Sequence, residues 1–252
     1  MDSLSWGVPL WFVLSLALLA LANRWFSQHL WNVAYLLSGD ETVAGFVHFA
    51  VLLPGVLLHE ASHWLTARLL GLKADRPQLW PEAGEGGLRL GSVRVQQADP
   101  LRNSLVGLAP LLFGTLVLLL VGQRVFGLND LAATAADGQW HRLAALLASA
   151  RGVADLWLWA YLVFAVANAM LPSQSDRYAW PTLGIYALLL GIIYWLLAGG
   201  LPSLPKTIWQ ATLVWLARLA GTFTLALAVD ALFGALLLLA EAALLRLGRG
   251  EG

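Results

Sequence analysis

The sequence predicts an all-α polytopic membrane protein, with about six transmembrane helices and a small membrane-associated β-hairpin between the second and third. Three observations carry this. Hydrophobic residues make up 59% of the chain and charged residues 12%, where soluble domains carry about a quarter charged, and the mean hydropathy is +0.71. The apolar residues gather into stretches close to the roughly 20 needed to cross a bilayer. Between two of them, Gly71 to Asn103 is long and interrupted by Gly and Pro. No polar stretch is long enough to fold as a soluble appendage, so the 252 residues read as one transmembrane domain.

The first stretch, Trp6 to Ala22, follows "MDSLSW", which lacks the basic start of a secretory signal and so reads as a retained helix. Val43 to Leu70, Leu105 to Val121, Val153 to Leu171 and Pro181 to Ala198 follow as further spans. The apolar run from Ile208 to Leu247 is too long for one crossing, and predicts an interfacial helix at Ile208 to Arg218 leading into a span at Leu219 to Leu239. Trp6, Trp25, Trp31, Trp80, Trp140, Trp180 and Trp209 fall near these ends, where amphipathic rings favour the headgroup region. In the segment after the second span, "LRLGSVRV" alternates from Leu88 to Val95, the period of a strand, and "PEAGEGG" before it reads as a turn.

Charge says where the chain sits and what it avoids. Lys73, Arg76, Arg89, Arg94, Arg102, Arg177, Arg246 and Arg249 fall on one side of this topology, against Arg24, Arg124, Arg142, Arg151 and Lys206 on the other. The bias places both termini in the cytoplasm. Net charge is zero and the bases are scattered, so no footprint for nucleic acid exists. There is no cysteine, which leaves any metal site to histidine, carboxylate and water. Nothing in the sequence speaks to oligomeric state.

The chemistry begins at "LLHEASHWL", residues 57 to 65. Ionisable groups at bilayer depth are costly and mark functional sites. Residues four apart share a helix face, so His59 and His63 can offer nitrogens to one ion with Glu60 beside them. This is the H-E-x-x-H arrangement of two zinc ligands and a general base. Unpaired imidazoles and a carboxylate in an apolar helix would otherwise be desolvated for no gain. His59 lies about 11 residues, roughly 16 Å, from the helix end, which puts the pair near mid-bilayer.

Catalytic zinc generally takes three protein ligands. His48, Asp155, Asp176, Asp230 and Glu241 are the candidates for the third. "NAMLPSQSDRYAWP" favours Asp176: Pro172 stops the fourth span, and non-helical backbone at membrane depth is tolerated where it lines a cavity. His48 reads as a packing histidine, and Arg68 as a side chain reaching the interface from its helix end. Asp230 and Glu241 stay open between pairing with Arg218 or Arg246 and lining a gate.

These residues resemble the site-2 protease family of intramembrane zinc metalloproteases. Its members pair an H-E-x-x-H helix with a later N-x-x-P-x-x-x-x-D-G motif, and Asn168 and Asp176 keep that spacing. "GLAPLLFG", Gly107 to Gly114, is similar to the family's glycine-proline segment opening the next span, and six spans resemble the compact archaeal type. Two positions depart from the motif: proline stands at 172 with Leu171 in its usual place, and Arg177 replaces the glycine after the aspartate.

The resemblance implies that His59, His63 and Asp176 ligate Zn2+, that Glu60 is base and then acid, and that Asn168 helps hold the substrate carbonyl or its oxyanion. It implies an intramembrane metalloendopeptidase of a prokaryotic cell membrane. Its substrate would be a transmembrane protein or peptide, taken from within or beside the lipid bilayer. General chemistry agrees, because zinc brings the pKa of water at its open position to about 7, within reach of a carboxylate base. The strand at Leu88 to Val95 would hold an extended substrate by strand addition. The alternative is a catalytically silent zinc-binding membrane protein that acts as a binding partner, to which Arg177 points. A transporter or channel reading finds no support, because the sequence shows no inverted repeat or paired broken helices of the kind such folds carry.

Overall fold

The computed structural model describes residues 4–78, 82–84, 87–89, 92–130, 141, 145, 148, 152–198 and 205–249. Trp80, Trp140, Arg142 and Arg151 lie outside them, as do parts of the expected turn and strand at 81, 85–86 and 90–91. Among the described residues six α-helices dominate: α1 (Leu4–Ser38), α2 (Glu41–Leu69), α3 (Pro100–Arg124), α4 (Leu156–Ala169), α5 (Trp180–Ala198) and α6 (Lys206–Arg249). All except α4 are long and apolar enough to cross a membrane, and the chain is a membrane protein. At 14 residues, α4 is about 21 Å long and falls short of the roughly 30 Å hydrocarbon layer.

Two expected boundaries move. α1 does not stop at Ala22 but runs to Ser38, so Arg24, Trp25 and Trp31 stand on the helix and not in a loop. The reason is packing: Asn23, Phe26 and Val33 turn inward, and α1 lies along α6 for much of its length. The expected break near Arg218 is also absent, for α6 continues unbroken over 44 residues. Its glycines at 221 and 234 do not end a helix whose backbone finds no better partner in an apolar surrounding.

Local signals set the ends of the site-bearing helix. Gly39 turns the chain out of α1 at φ +67°, and Asp40 then caps α2 by accepting from the N–H groups of Thr42 at 2.6 Å and Val43 at 3.2 Å. At the other end Gly71 N–H bonds Arg68 O and Leu72 N–H bonds Ala67 O, the two-bond termination that a left-handed glycine allows. Asp99 caps α3, and Pro100 occupies its first turn where no N–H is needed.

The expected β-hairpin is corrected. Among the described residues no continuous strand runs from Leu88 to Val95, because Val93 and Arg94 lie outside any strand. The described residues hold a three-residue pair, β1 (Glu82–Gly84) with β2 (Gly87–Arg89), and isolated bridges at Ala74–Val95 and Gln78–Ser92. Between the bridges Ala74–Val95 and Gln78–Ser92 the first arm advances by four residues and the second by three, so the first arm carries one extra residue there. Pro77, in the opposing arm, has no N–H to give a ladder. Alternation alone therefore did not make a strand, and no substrate-binding role is carried forward for it.

Small residues bring the helices together around α2. A Cβ on Gly55 would stand 2.0 Å from Ala165 O of α4, and one on Gly114 of α3 would stand 2.4 Å from Met170 Cβ just after α4. Such close backbone approach is how membrane helices associate where lipid and side chains are equally apolar. Phe26, Phe164 and Phe233 meet ring to ring and tie α1, α4 and α6 together.

Candidate metal centre

His59 and His63 face one way from the middle of α2, as four-residue spacing requires. Each ring is tethered at Nδ1. His59 Nδ1 lies 2.7 Å from Ala169 O at the end of α4, and His63 Nδ1 lies 2.9 Å from Val106 O in α3. A carbonyl only accepts, so each Nδ1 carries a hydrogen and donates it. In the neutral rings both Nε2 atoms are then lone-pair acceptors.

Those two acceptors stand 3.1 Å apart and meet a third. Asp176 Oδ1 lies 3.2 Å from His63 Nε2, and Oδ2 lies 3.6 Å from His59 Nε2. Three acceptors this close repel unless positive charge stands between them. Ligands about 2.0–2.1 Å from a tetrahedral zinc are about 3.3 Å apart, so the separations suit that ion. His59, His63 and Asp176 form the one group of possible ligands of this kind among the described residues. The donor set, two imidazoles and a carboxylate, suits zinc with a position left open.

Asp176 is held in place by its own loop and by α3. Ser173 N–H donates to Asp176 Oδ2 at 2.7 Å, and Arg177 Nε donates to Ser173 O, across the turn and away from the carboxylate. A Cβ on Gly107 would stand 2.0 Å from Asp176 O, so glycine is what lets this loop reach the histidines.

Glu60 is buried on the same helix and lines a cavity of about 280 Å³ with His59, Asn168, Asn23, Ser27 and His48. Its carboxylate takes no hydrogen bond from a described residue. A second cavity of about 490 Å³ is lined by His63, Asp176, Gln96, Asn103, Val106 and Tyr178. Both cavities are large enough for several waters.

The other sequence candidates separate cleanly. His48 is not a satisfied packing histidine: its Nε2 is buried without a partner among the described residues, and it borders the Glu60 cavity. Asp155 starts α4 in a left-handed conformation with no capping bond and is not brought to the site. Glu241 pairs with His29 of α1 at 2.6 Å, in place of Arg246. Among the described residues Asp230 meets Asn168 and no arginine. Arg68 lies over the Trp64 ring at its helix end.

Asn168 is adjacent to the site, but its donors are engaged elsewhere. Its Nδ2 bonds Phe164 O at 3.0 Å and Asp230 Oδ1 at 2.8 Å. Both N–H groups are thereby taken, and in this arrangement none is free for an oxyanion. Sequence reasoning missed the carbonyls of Val106 and Ala169, for a backbone acceptor leaves no mark in residue identity. Gly107 stood within a segment already singled out, without its reason.

No family model matches the chain, and no curated protein and no solved structure is significantly similar to it.

Proposed function

We propose that this protein is a multi-pass intramembrane zinc metalloprotease of a prokaryotic cell membrane, similar to the site-2 protease family. The proposed activity is hydrolysis of peptide bonds within or next to transmembrane segments of other membrane proteins. One observation carries the reading: His59, His63 and Asp176 converge as three acceptors while both Nδ1 atoms are tied to backbone carbonyls. Such tethers fix the tautomer and ring orientation of metal-bound histidines.

Bound there, zinc would supply Lewis acidity toward a carbonyl and make water a better nucleophile at neutral pH. In this reading Glu60, which lines the smaller cavity, takes a proton from water and returns it to a leaving amine. The larger cavity, bordered by the side-chain amides of Gln96 and Asn103, is the proposed seat of the peptide, which must be unwound to present its carbonyl. An oxyanion contact from Asn168 would require it to leave Asp230, so this role is not assigned to it.

The silent zinc-binding alternative drew on Arg177. What weighs against it is that Arg177 turns to Ser173 O and leaves the Asp176 carboxylate to the imidazoles. The deciding experiment measures metal content of the purified protein and cleavage of a synthetic transmembrane peptide, for wild type and Glu60→Gln. Zinc in both with cleavage in wild type alone is expected. Absence of zinc after gentle purification would sink the proposal, and zinc without cleavage in wild type would favour the silent alternative.

A further inference from the structure

Asn168 on α4 and Asp230 on α6 are 5% and 2% exposed, and they meet at the boundary between the Glu60 cavity and an apolar groove. Asn168 Nδ2 donates to Asp230 Oδ1 at 2.8 Å, and its orientation is set by the bond to Phe164 O, which only a donor can make. Two buried oxygens are then left without a donor among the described residues: Asn168 Oδ1 and Asp230 Oδ2. The groove on the far side of Asp230 is walled by Leu18, Leu21, Trp25, Leu227 and Leu238, none of which is a cation. A lone carboxylate taken out of water costs several kcal/mol, and a buried group in that position neutralises instead.

A carboxylic acid and a carboxamide are complementary. The amide N–H donates to the acid carbonyl, and the acid O–H donates to the amide carbonyl. The contact from Asn168 Nδ2 to Asp230 Oδ1 is the first of these bonds, and the two oxygens left without a donor are those the second would join. We infer that Asp230 is a neutral carboxylic acid that shares its proton with Asn168 Oδ1, and that this clamp between α6 and α4 is a positioning element for the metal centre.

The positioning runs through one turn of backbone. Asn23 of α1 donates to the carbonyl of Asn168, and the next carbonyl, Ala169 O, receives His59 Nδ1–H at 2.7 Å. Asp230 thus holds the end of α4 from one side and Asn23 from another, and the carbonyl that sets the tautomer of His59 sits on that held turn. This role rests on the metal reading above; the protonated clamp does not.

The test uses the full chain in lipid nanodiscs, with Asp230→Asn and Asp230→Leu. Asparagine can close both bonds with Asn168, whereas leucine closes neither. In infrared spectra, wild type minus Asp230→Asn should show the C=O stretch of a protonated carboxyl. Carboxylate bands alone would overturn the neutral acid. Zinc affinity, read by chelator competition, should stay within about threefold in Asp230→Asn and fall about 10–100-fold in Asp230→Leu, the range for outer partners of metal ligands. Equal loss in both, or no loss in Asp230→Leu, would overturn the positioning role. Should Asp230→Leu not accumulate as folded protein, Asp230→Ser, which is too short to close the ring, carries the same expectation. Wild-type protein that binds no zinc overturns the positioning role along with the metal centre, and the infrared band still judges the clamp separately.

Discussion

α2 and α5 have nearly the same mean hydropathy, yet 39% of the apolar window of α2 is buried in protein and none of that of α5. The difference lies in their small and polar residues. Gly55 of α2 faces the backbone of α4 at a distance that excludes any side chain, while Gly184 and Gly191 of α5 have nothing within 4 Å of a Cβ position. α2 also carries His59, Glu60, Ser62 and His63, each facing a cavity or a hydrogen-bond partner, where α5 carries no charge at all. Apolarity alone puts a helix in lipid. What draws it into protein is close backbone approach together with polar groups that need partners.

The strongest way to break this comparison is at Glu60. Glu60→Gln should lower cleavage of a transmembrane peptide by about 10²–10⁴-fold with zinc content unchanged, the size expected of a general acid–base group. A comparable loss from Leu189→Ala, on the exposed surface of α5, would mean that the two helices are not divided as described. Next in size is Gly107→Ala. Its methyl collides with Asp176 O, so zinc affinity measured by chelator competition should fall about 10–100-fold, as when an outer partner of a metal ligand is lost.

Metal itself should separate the regions. Zinc at about 100 times its dissociation constant should stabilise the fold by about 2.7 kcal/mol, seen as a higher Tm that chelator removes. Gly55→Ala forces a methyl into Ala165 O and should cost about 1–3 kcal/mol by overpacking, again read as Tm. The smallest effect belongs to Gly191→Ala in α5, where open space surrounds the new methyl. Helix propensity there favours alanine by about 1 kcal/mol at most. If Gly191→Ala destabilised as much as Gly55→Ala, close packing would not be what distinguishes α2.

Much of the site was legible because its signals are local. Two histidines four apart on an apolar helix announce a shared face, and Pro172 announces the break in which Asp176 stands. The partners of those residues were not legible. Ala169 O lies 110 positions from His59, and Asp230 lies 62 from Asn168, so no spacing rule connects them. The length of α1 was misjudged for a related reason: Asn23, Ser27 and His29 look like loop residues until their partners on other helices and in the cavity are seen.

By itself the sequence determined the membrane class, most of the helices and the candidate ligand residues, because transfer into lipid and helical periodicity are properties of neighbouring residues. Tertiary structure alone decided that three acceptors meet, that each imidazole is tethered at Nδ1, and that Asn168 turns to Asp230. Those outcomes depend on how near one backbone can come to another. Gly55, Gly107 and Gly114 set that distance only once the helices have packed against each other.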